Sequence, residues 1–316
     1  MLDTVPADIN EYPENVRFIF ADVRNLDILN KVFKEVKVVI HAAAALPLCK
    51  KNNIFSINIG GTRNVLEAAE TNKIERVVFI SSTAVYGTNK KYSLDEEADL
   101  AGVGPYGESK VAAEKICLEY RKRNLCVPIL RPKSFIGTKR LGVFQILYDW
   151  VESGKRIPII GNGKNRFQLL AVEDLVDAIY LVLTGQRDRV NDTFNIGAED
   201  FKTVYEDVSA LCAYASTGSR VLRTPKCAII PMLALFEKIG VSPLYKWVYM
   251  SAANDSFVPT FKAKYLLGWL PRYSNVEALI KSYQWYLDHK SDLCDTGTTH
   301  RLAWKQGILK VFKAFL

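Results

Sequence analysis

The chain has 316 residues, 49% of them hydrophobic and 24% charged, with a formal charge of +8. That length exceeds a usual single domain and can bury a substantial core without disulfides or structural metal, which excludes a disordered or fibrous chain. The basic residues are dispersed rather than gathered into a basic–aromatic module, so the charge favours anionic small ligands over nucleic acid. Six cysteines show no C-x-x-C pairing and the three histidines are widely separated, which argues against a metal site. The first residues form no basic-then-apolar leader, and the longest apolar stretch, Cys227 to Phe236, is broken by Pro231. A reducing, cytoplasmic setting is therefore expected.

In chain order, short β-rich runs alternate with longer helical patterns, the signature of a parallel sheet with crossover helices. Residues 17–21 (Arg-Phe-Ile-Phe-Ala) read as a strand and Asp27–Glu35 as a helix. Val36–His41 is nearly all apolar, as a strand covered on both faces should be. A helix is predicted over Phe55–Thr71, with Val65, Leu66 and Ala69 on its apolar stripe, then a strand over Arg76–Ser81. Gly107–Arg123 reads as a helix and Val127–Arg131 as a strand ended by Pro132. Beyond Gly137 the pattern loosens. Helices are predicted at Phe144–Ser153, Glu173–Thr184 and Asn275–His289, and strands at Arg156–Ile160 and Thr193–Ile196. A sheet domain followed by an irregular lobe would place a ligand cleft at the carboxyl ends of the strands.

The segment Pro105-Tyr-Gly-Glu-Ser-Lys110 carries the chemistry. On a helix, Tyr106 and Lys110 share a face, and an ammonium beside a phenol favours the phenolate, a usable base near neutrality. The spacing alone is weak, because Tyr86…Lys90 and Tyr286…Lys290 share it. Its context is stronger: Ile80-Ser-Ser-Thr-Ala-Val-Tyr-Gly87 ends a strand some two dozen residues earlier. That places the Ser82 hydroxyl at the sheet edge where α/β ligands bind. The bland alternative is that these hydroxyls cap a turn.

From Leu2 to His289 the chain resembles the extended short-chain dehydrogenase/reductases, above all the nucleotide-sugar epimerases and dehydratases. The resemblance runs through Ala21-Asp-Val-Arg24, Val39-Ile-His-Ala-Ala-Ala44, Asn58-Ile-Gly-Gly-Thr62, the Ser-Ser-Thr strand end and Tyr106-Gly-Glu-Ser-Lys110. It continues through Leu130-Arg-Pro132, Val172-Glu-Asp-Leu-Val-Asp-Ala178 and Leu267-Gly-Trp-Leu-Pro271. It implies a Rossmann-like, doubly wound α/β fold with a smaller C-terminal substrate lobe, NAD as cofactor, and a homodimer. By the same resemblance Tyr106 is the base, Lys110 its partner and ribose anchor, and Ser82 the third member. Asp22 and Val23 would flank the adenine, and Ala42, Ala43 and Ala44 would line the diphosphate and ribose. Asn58 would order the cleft, while His41 reads better as a buried strand-end histidine. Asp3 falls where an acidic residue binds the adenosine ribose, which favours NAD over NADP.

Three departures qualify that expectation. No Gly-x-x-Gly-x-x-Gly follows a first strand, so the reading is of a region lacking its first strand, whose absence would bare the neighbouring strands. Dehydratases of the family carry Asp-Glu after the triad hydroxyl, where this chain has Thr83-Ala84, which disfavours loss of water. Ser134 stands where the family often has a diphosphate-contacting Asn, and Arg166 is offset by one from a diphosphate Arg. Thr83, Ser134 and Arg166 are the candidate substrate contacts.

The expected organisation is an NAD-binding region at 1–140, a substrate lobe at 141–290 and a basic amphipathic tail at 291–316. In that tail Ile308, Leu309, Val311, Phe312, Phe315 and Leu316 follow a helical stripe among Lys305, Lys310 and Lys313. It can make a weak membrane-surface contact or pack on the protein itself. Two functional alternatives stand beside the epimerase. One is a hydroxysteroid-type or other alcohol dehydrogenase with an apolar pocket around Tyr245, Trp247 and Tyr249. The other is a truncated, inactive binding module.

Overall fold

A computed structural model describes residues 1–6, 11–87, 94–240, 244, 246–292, 307 and 309–315. Tyr245, Lys305, Ile308 and Leu316 lie outside the described residues, as do the side chains of Trp247 and Phe315. The chain forms two compact units, one of residues 1–87, 100–131 and 182–193, the other of 88–99, 132–181 and 194–316.

The elements of the first unit begin with β1 (Leu2–Asp3), β2 (Ile19–Phe20), α1 (Leu26–Phe33), β3 (Val38–His41), α2 (Lys51–Phe55) and α3 (Thr62–Thr71). They continue with β4 (Arg76–Ile80), α4 (Gly104–Lys122) and β5 (Ile129–Pro132). β3, β4 and β5 run parallel, with Val39 opposite Val77 and Ile80 opposite Leu130. β1 and β2 form a separate parallel pair, Leu2 opposite Ile19. One core serves both: Leu29, Phe33, Val65, Leu66, Val77, Phe79, Ile116 and Ile129 are buried together, with Leu2 and Val39 packed against them.

Two expectations are corrected here. β3 is covered on one side only: Val39 is half-buried and His41 buried, but Val38 and Ile40 are exposed. Apolarity marked the strand, but could not say whether a neighbour covers its second face. The helix expected over Phe55–Thr71 starts earlier, at Lys51, and widens into a π-helical turn over Ser56–Gly61. Gly60-Gly61 weakens the regular ladder, and the buried Asn58 side chain holds the Ala45 backbone, its Oδ1 accepting from Ala45 N–H at 2.7 Å.

The second unit includes β6 (Ser134–Ile136), α5 (Phe144–Glu152), β7 (Arg156–Ile160), β8 (Leu169–Ala171) and α6 (Val172–Thr184), whose last turn falls in the first unit with α7 (Arg187–Val190). β9 (Thr193–Ile196), α8 (Val204–Ala215), β10 (Arg220–Thr224) and α9 (Lys226–Lys238) follow. The last are α10 (Lys246–Ala252), α11 (Phe261–Leu267), α12 (Asn275–His289) and α13 (Leu309–Phe315). β6 pairs with β8 and β7 with β10, both parallel. Tyr148, Trp150, Ile157, Leu169, Leu211, Leu279 and Tyr283 fill its core. Capping boxes start α8 (Thr203 with Glu206) and α12 (Ser274 with Glu277), which is why the latter begins where its sequence predicts. Leu309 and Phe312 of α13 pack against this core, and Lys313 pairs with Asp149 at 2.5 Å. Among the described residues no helix is long and apolar enough to cross a membrane.

Candidate active site

α4 presents Tyr106 and Lys110 one turn apart, with Tyr106 half-buried and Lys110 buried. The Lys110 Nζ donates to the Ile80 carbonyl at the end of β4 (2.8 Å) and lies 4.9 Å from the Phe79 ring centroid. Burial pulls its pKa down to about 8, against which the nearby Glu114 carboxylate works. Ser82 follows β4 in extended conformation, its Oγ accepting from Ala84 N–H at 3.1 Å to cap the 3₁₀ turn Thr83–Tyr86. The capping role is therefore real, and it leaves the hydroxyl hydrogen to donate.

Glycines bring this turn against the first turn of α4. A Cβ on Gly102 would stand 2.4 Å from the Gly107 carbonyl carbon, and one on Gly107 would stand 3.0 Å from the Ala84 oxygen. Ala101 N–H donates to Val85 C=O at 2.9 Å, which closes the loop on the turn. The glycines around Tyr106 were the sequence signal for this packing, and sequence reasoning passed over it. It also missed the support behind: Arg131 pairs with Glu114 at 2.6 Å, both buried, and donates to the Tyr86 hydroxyl at 2.8 Å. Tyr86, first of the competing Tyr-x-x-x-Lys matches, is thus a buried structural tyrosine.

Asn58 connects the π-helical turn to α4, its Nδ2 donating to Ser109 Oγ at 2.9 Å, and Ser109 in turn donating to the Tyr106 carbonyl at 2.7 Å. His41 is buried and within 3.0 Å of Thr62 Oγ1. Burial first, and the Lys110 charge second, push its pKa down to about 3, so it stays neutral, as a strand-end histidine in the core should.

The residues present suit both ends of a dinucleotide. Asp3 is exposed at the end of β1, one carboxylate oxygen accepting from Val5 N–H at 3.0 Å. Ala42 and Ala43 are exposed just past β3 and Ala44 is half-buried, small side chains that let a ligand approach the backbone. Val23 is buried against Gly61, where a Cβ would stand 2.5 Å from Val23 Cγ2. The Asp22 carboxylate is clasped by Arg24 at 2.6 Å, a hydrogen bond that holds its pKa below the usual carboxylate value. What the sequence does not supply is a glycine-rich turn for the diphosphate between these ends.

Thr83 is buried in the 3₁₀ turn. In the second unit Ser134 is half-buried on β6, and the Arg166 guanidinium lies 4.4 Å from the Phe257 ring centroid. Sequence reasoning overlooked a cleft of about 550 Å³ there, lined by Gly161, Asn162, Arg223, Thr224, Pro225 and Lys226. Arg223 stacks over Tyr205 at 4.2 Å, and among the described residues neither Arg223 nor Lys226 meets a carboxylate. It also overlooked Lys133, buried with its Nζ donating to Ser256 Oγ at 2.7 Å and lying 5.3 Å from the Phe167 centroid.

A parallel α/β sheet with a Tyr-x-x-x-Lys helix and a hydroxyl at the strand's carboxyl end defines an extended short-chain dehydrogenase/reductase. The model of the NAD dependent epimerase/dehydratase family matches residues 4–197, and the chain belongs to that family of NAD-dependent enzymes. An uncharacterised protein, y4nG of Sinorhizobium fredii, is 33% identical over 298 residues, 93% of this chain and 74% of the relative. A dTDP-glucose 4,6-dehydratase of Streptomyces niveus is 26% identical over 292 residues, 90% of this chain and 79% of its own. Among solved structures, the UDP-glucuronic acid 4-epimerase from Bacillus cereus in complex with NAD superposes with a TM-score of 0.71 at 21% identity. That match covers 88% of this chain and 83% of the other.

Proposed function

We propose that the chain is an epimerase of a nucleotide sugar, with Tyr106 as the base. The observation that carries this is the seating of the Tyr106–Lys110 turn of α4 against the Ser82 turn, with the Lys110 ammonium fixed beneath the end of β4. Tyr106 phenolate takes the proton of a sugar hydroxyl, and the Ser82 hydroxyl donates to the same oxygen. Bound NAD supplies the acceptor, and afterwards the donor, of the hydride. Lys110 holds positive charge beside the phenolate while the proton moves. The sugar ketone then presents its other face, and Tyr106 returns the proton to the inverted alcohol. Thr83 and Ala84 bring no acid to this point, so the ketone is not steered toward loss of water.

Asp3, Asp22, Val23, Ala42, Ala43, Ala44, Asn58 and Lys110 form the cofactor side in this reading, and Thr83, Ser134 and Arg166 contact the substrate. In the second unit, Arg223 and Lys226 line a cationic cleft fit for a diphosphate. The division into 1–140, 141–290 and 291–316, a homodimer, a cytoplasmic location and a weak membrane contact by the tail belong to the same proposal.

The test is incubation of the protein and NAD with a panel of nucleotide sugars, followed by NMR and by absorbance at the NADH band. Interconversion of epimers without net NADH is expected. Steady NADH production from an apolar alcohol would establish the dehydrogenase instead. A folded protein that binds NAD and turns over none of the sugars would overturn the epimerase.

A further inference from the structure

α9 reads Lys-Cys-Ala-Ile-Ile-Pro-Met-Leu-Ala-Leu-Phe-Glu-Lys, strongly apolar for a surface helix, yet Leu233 is its one buried residue. Ala228, Pro231, Leu235 and the C-cap Ile239 are spaced three, four and four apart, so they make one continuous stripe. All four are exposed, Leu235 at 56% and Ile239 at 60%. α13 lies alongside: the Phe312 ring is 6.3 Å from that of Phe236, and Val311 beside it is 54% exposed.

The charges on this face are of one sign. Lys238 and Lys310 are exposed, and neither meets a carboxylate among the described residues. The sole acid of the two helices, Glu237, accepts from the Tyr249 hydroxyl at 2.8 Å. Pairing two copies of such a face would bring lysines toward lysines. An anionic surface neutralises them instead.

We propose that the α9–α13 face docks on an anionic bilayer, laying Leu235, Ile239 and Val311 into the headgroup–acyl boundary with Lys238 and Lys310 over the lipid phosphates. This enlarges the tail contact of the functional reading into a two-helix surface, and it is independent of the chemistry at Tyr106. An apolar wedge alone or a basic patch alone binds marginally, and the two together give useful affinity. Each lysine near an anionic leaflet strengthens partitioning roughly fivefold.

Flotation with phosphatidylcholine vesicles, with and without phosphatidylglycerol, tests the proposal without reference to activity. The chain should float with the mixed vesicles, less so at high salt, and not with phosphatidylcholine alone. The Leu235→Glu/Ile239→Glu variant should lose at least about tenfold in partitioning while keeping its melting temperature and its NAD binding. Lys310→Glu should show a smaller loss in the same direction. Failure of the chain to float with anionic vesicles, or equal flotation of the double variant, overturns the proposal. A double variant that floats but has a smaller solution mass would make this face a protein interface and overturn it equally.

Discussion

Lys110 and Lys133 are both buried lysines, and the chain treats them differently. Lys110 is bound to a carbonyl with Glu114 nearby, and its pKa falls to about 8; Lys133 has a hydroxyl and a ring, and burial takes it down to about 7. On the proposed reading, sugar interconversion should therefore decline above pH 8, as Lys110 gives up its proton. Lys110→Met should cost a factor of about 10²–10⁴ in kcat and abolish that limb, and Tyr106→Phe should cost a similar factor with the fold intact. For stability the sign is opposite to that of a salt bridge. Between pH 7 and its ordinary 10.5, the Lys133 of the unfolded chain binds a proton that the folded chain does not, so stability rises with pH in that window. Lys110 adds a slope of the same sign from about 8. Lys133→Met should flatten the rise, most clearly between pH 7 and 8, and raise the urea midpoint at pH 7. An unchanged midpoint would mean that water reaches the amine. That Tyr106 and Lys110 share one face of α4 was legible because their spacing is local. Lys133 was not, because its partner Ser256 lies 123 positions away.

At the scale of elements, the junction of the π-helical turn with α3 shows where periodicity stops informing. Residues 51–71 form helical turns throughout, but the ladder slips where Asn58 is tied to Ala45 and Ser109 and where Gly61 meets Val23. Alanine in place of glycine in a helix gains about 0.5–1 kcal/mol, whereas crowding a packed core costs about 1–3 kcal/mol. With a Cβ only 2.5 Å from Val23 Cγ2, crowding wins. Gly61→Ala should destabilise the protein by about 1–2 kcal/mol in urea titration. In a Val23→Ala background the same change should become neutral or stabilising, because only the propensity remains. A cost that persists in that background would place the strain in the backbone instead. Elements with strong local signals behaved otherwise: Arg156–Ile160, Thr193–Ile196 and Asn275–His289 form just where they are predicted.

For the molecule as a whole, what the sequence could not convey was which strands neighbour one another. Val36–His41 read as a strand covered on both sides, and α3 and α4 do supply one core. Yet β1 and β2 form their own pair, and Val38 and Ile40 on β3, with Phe20 on β2, remain exposed. Parallel strands are ordinarily buried on both faces, so bare apolar side chains on one of them make a surface prone to self-association. Val38 at 42% and Ile40 at 48% exposure share a face, two positions apart, and a charge there meets water rather than core. Ile40→Lys should therefore lower concentration-dependent light scattering while changing unfolding free energy by no more than about 0.5 kcal/mol, the usual range for a surface site. A lysine forced into a covered strand would instead cost several kcal/mol. A loss of that size would show that a further part of the protein, or a second copy, already covers β3. Unchanged stability with reduced scattering would show that the open face of β3 is where copies of this chain meet.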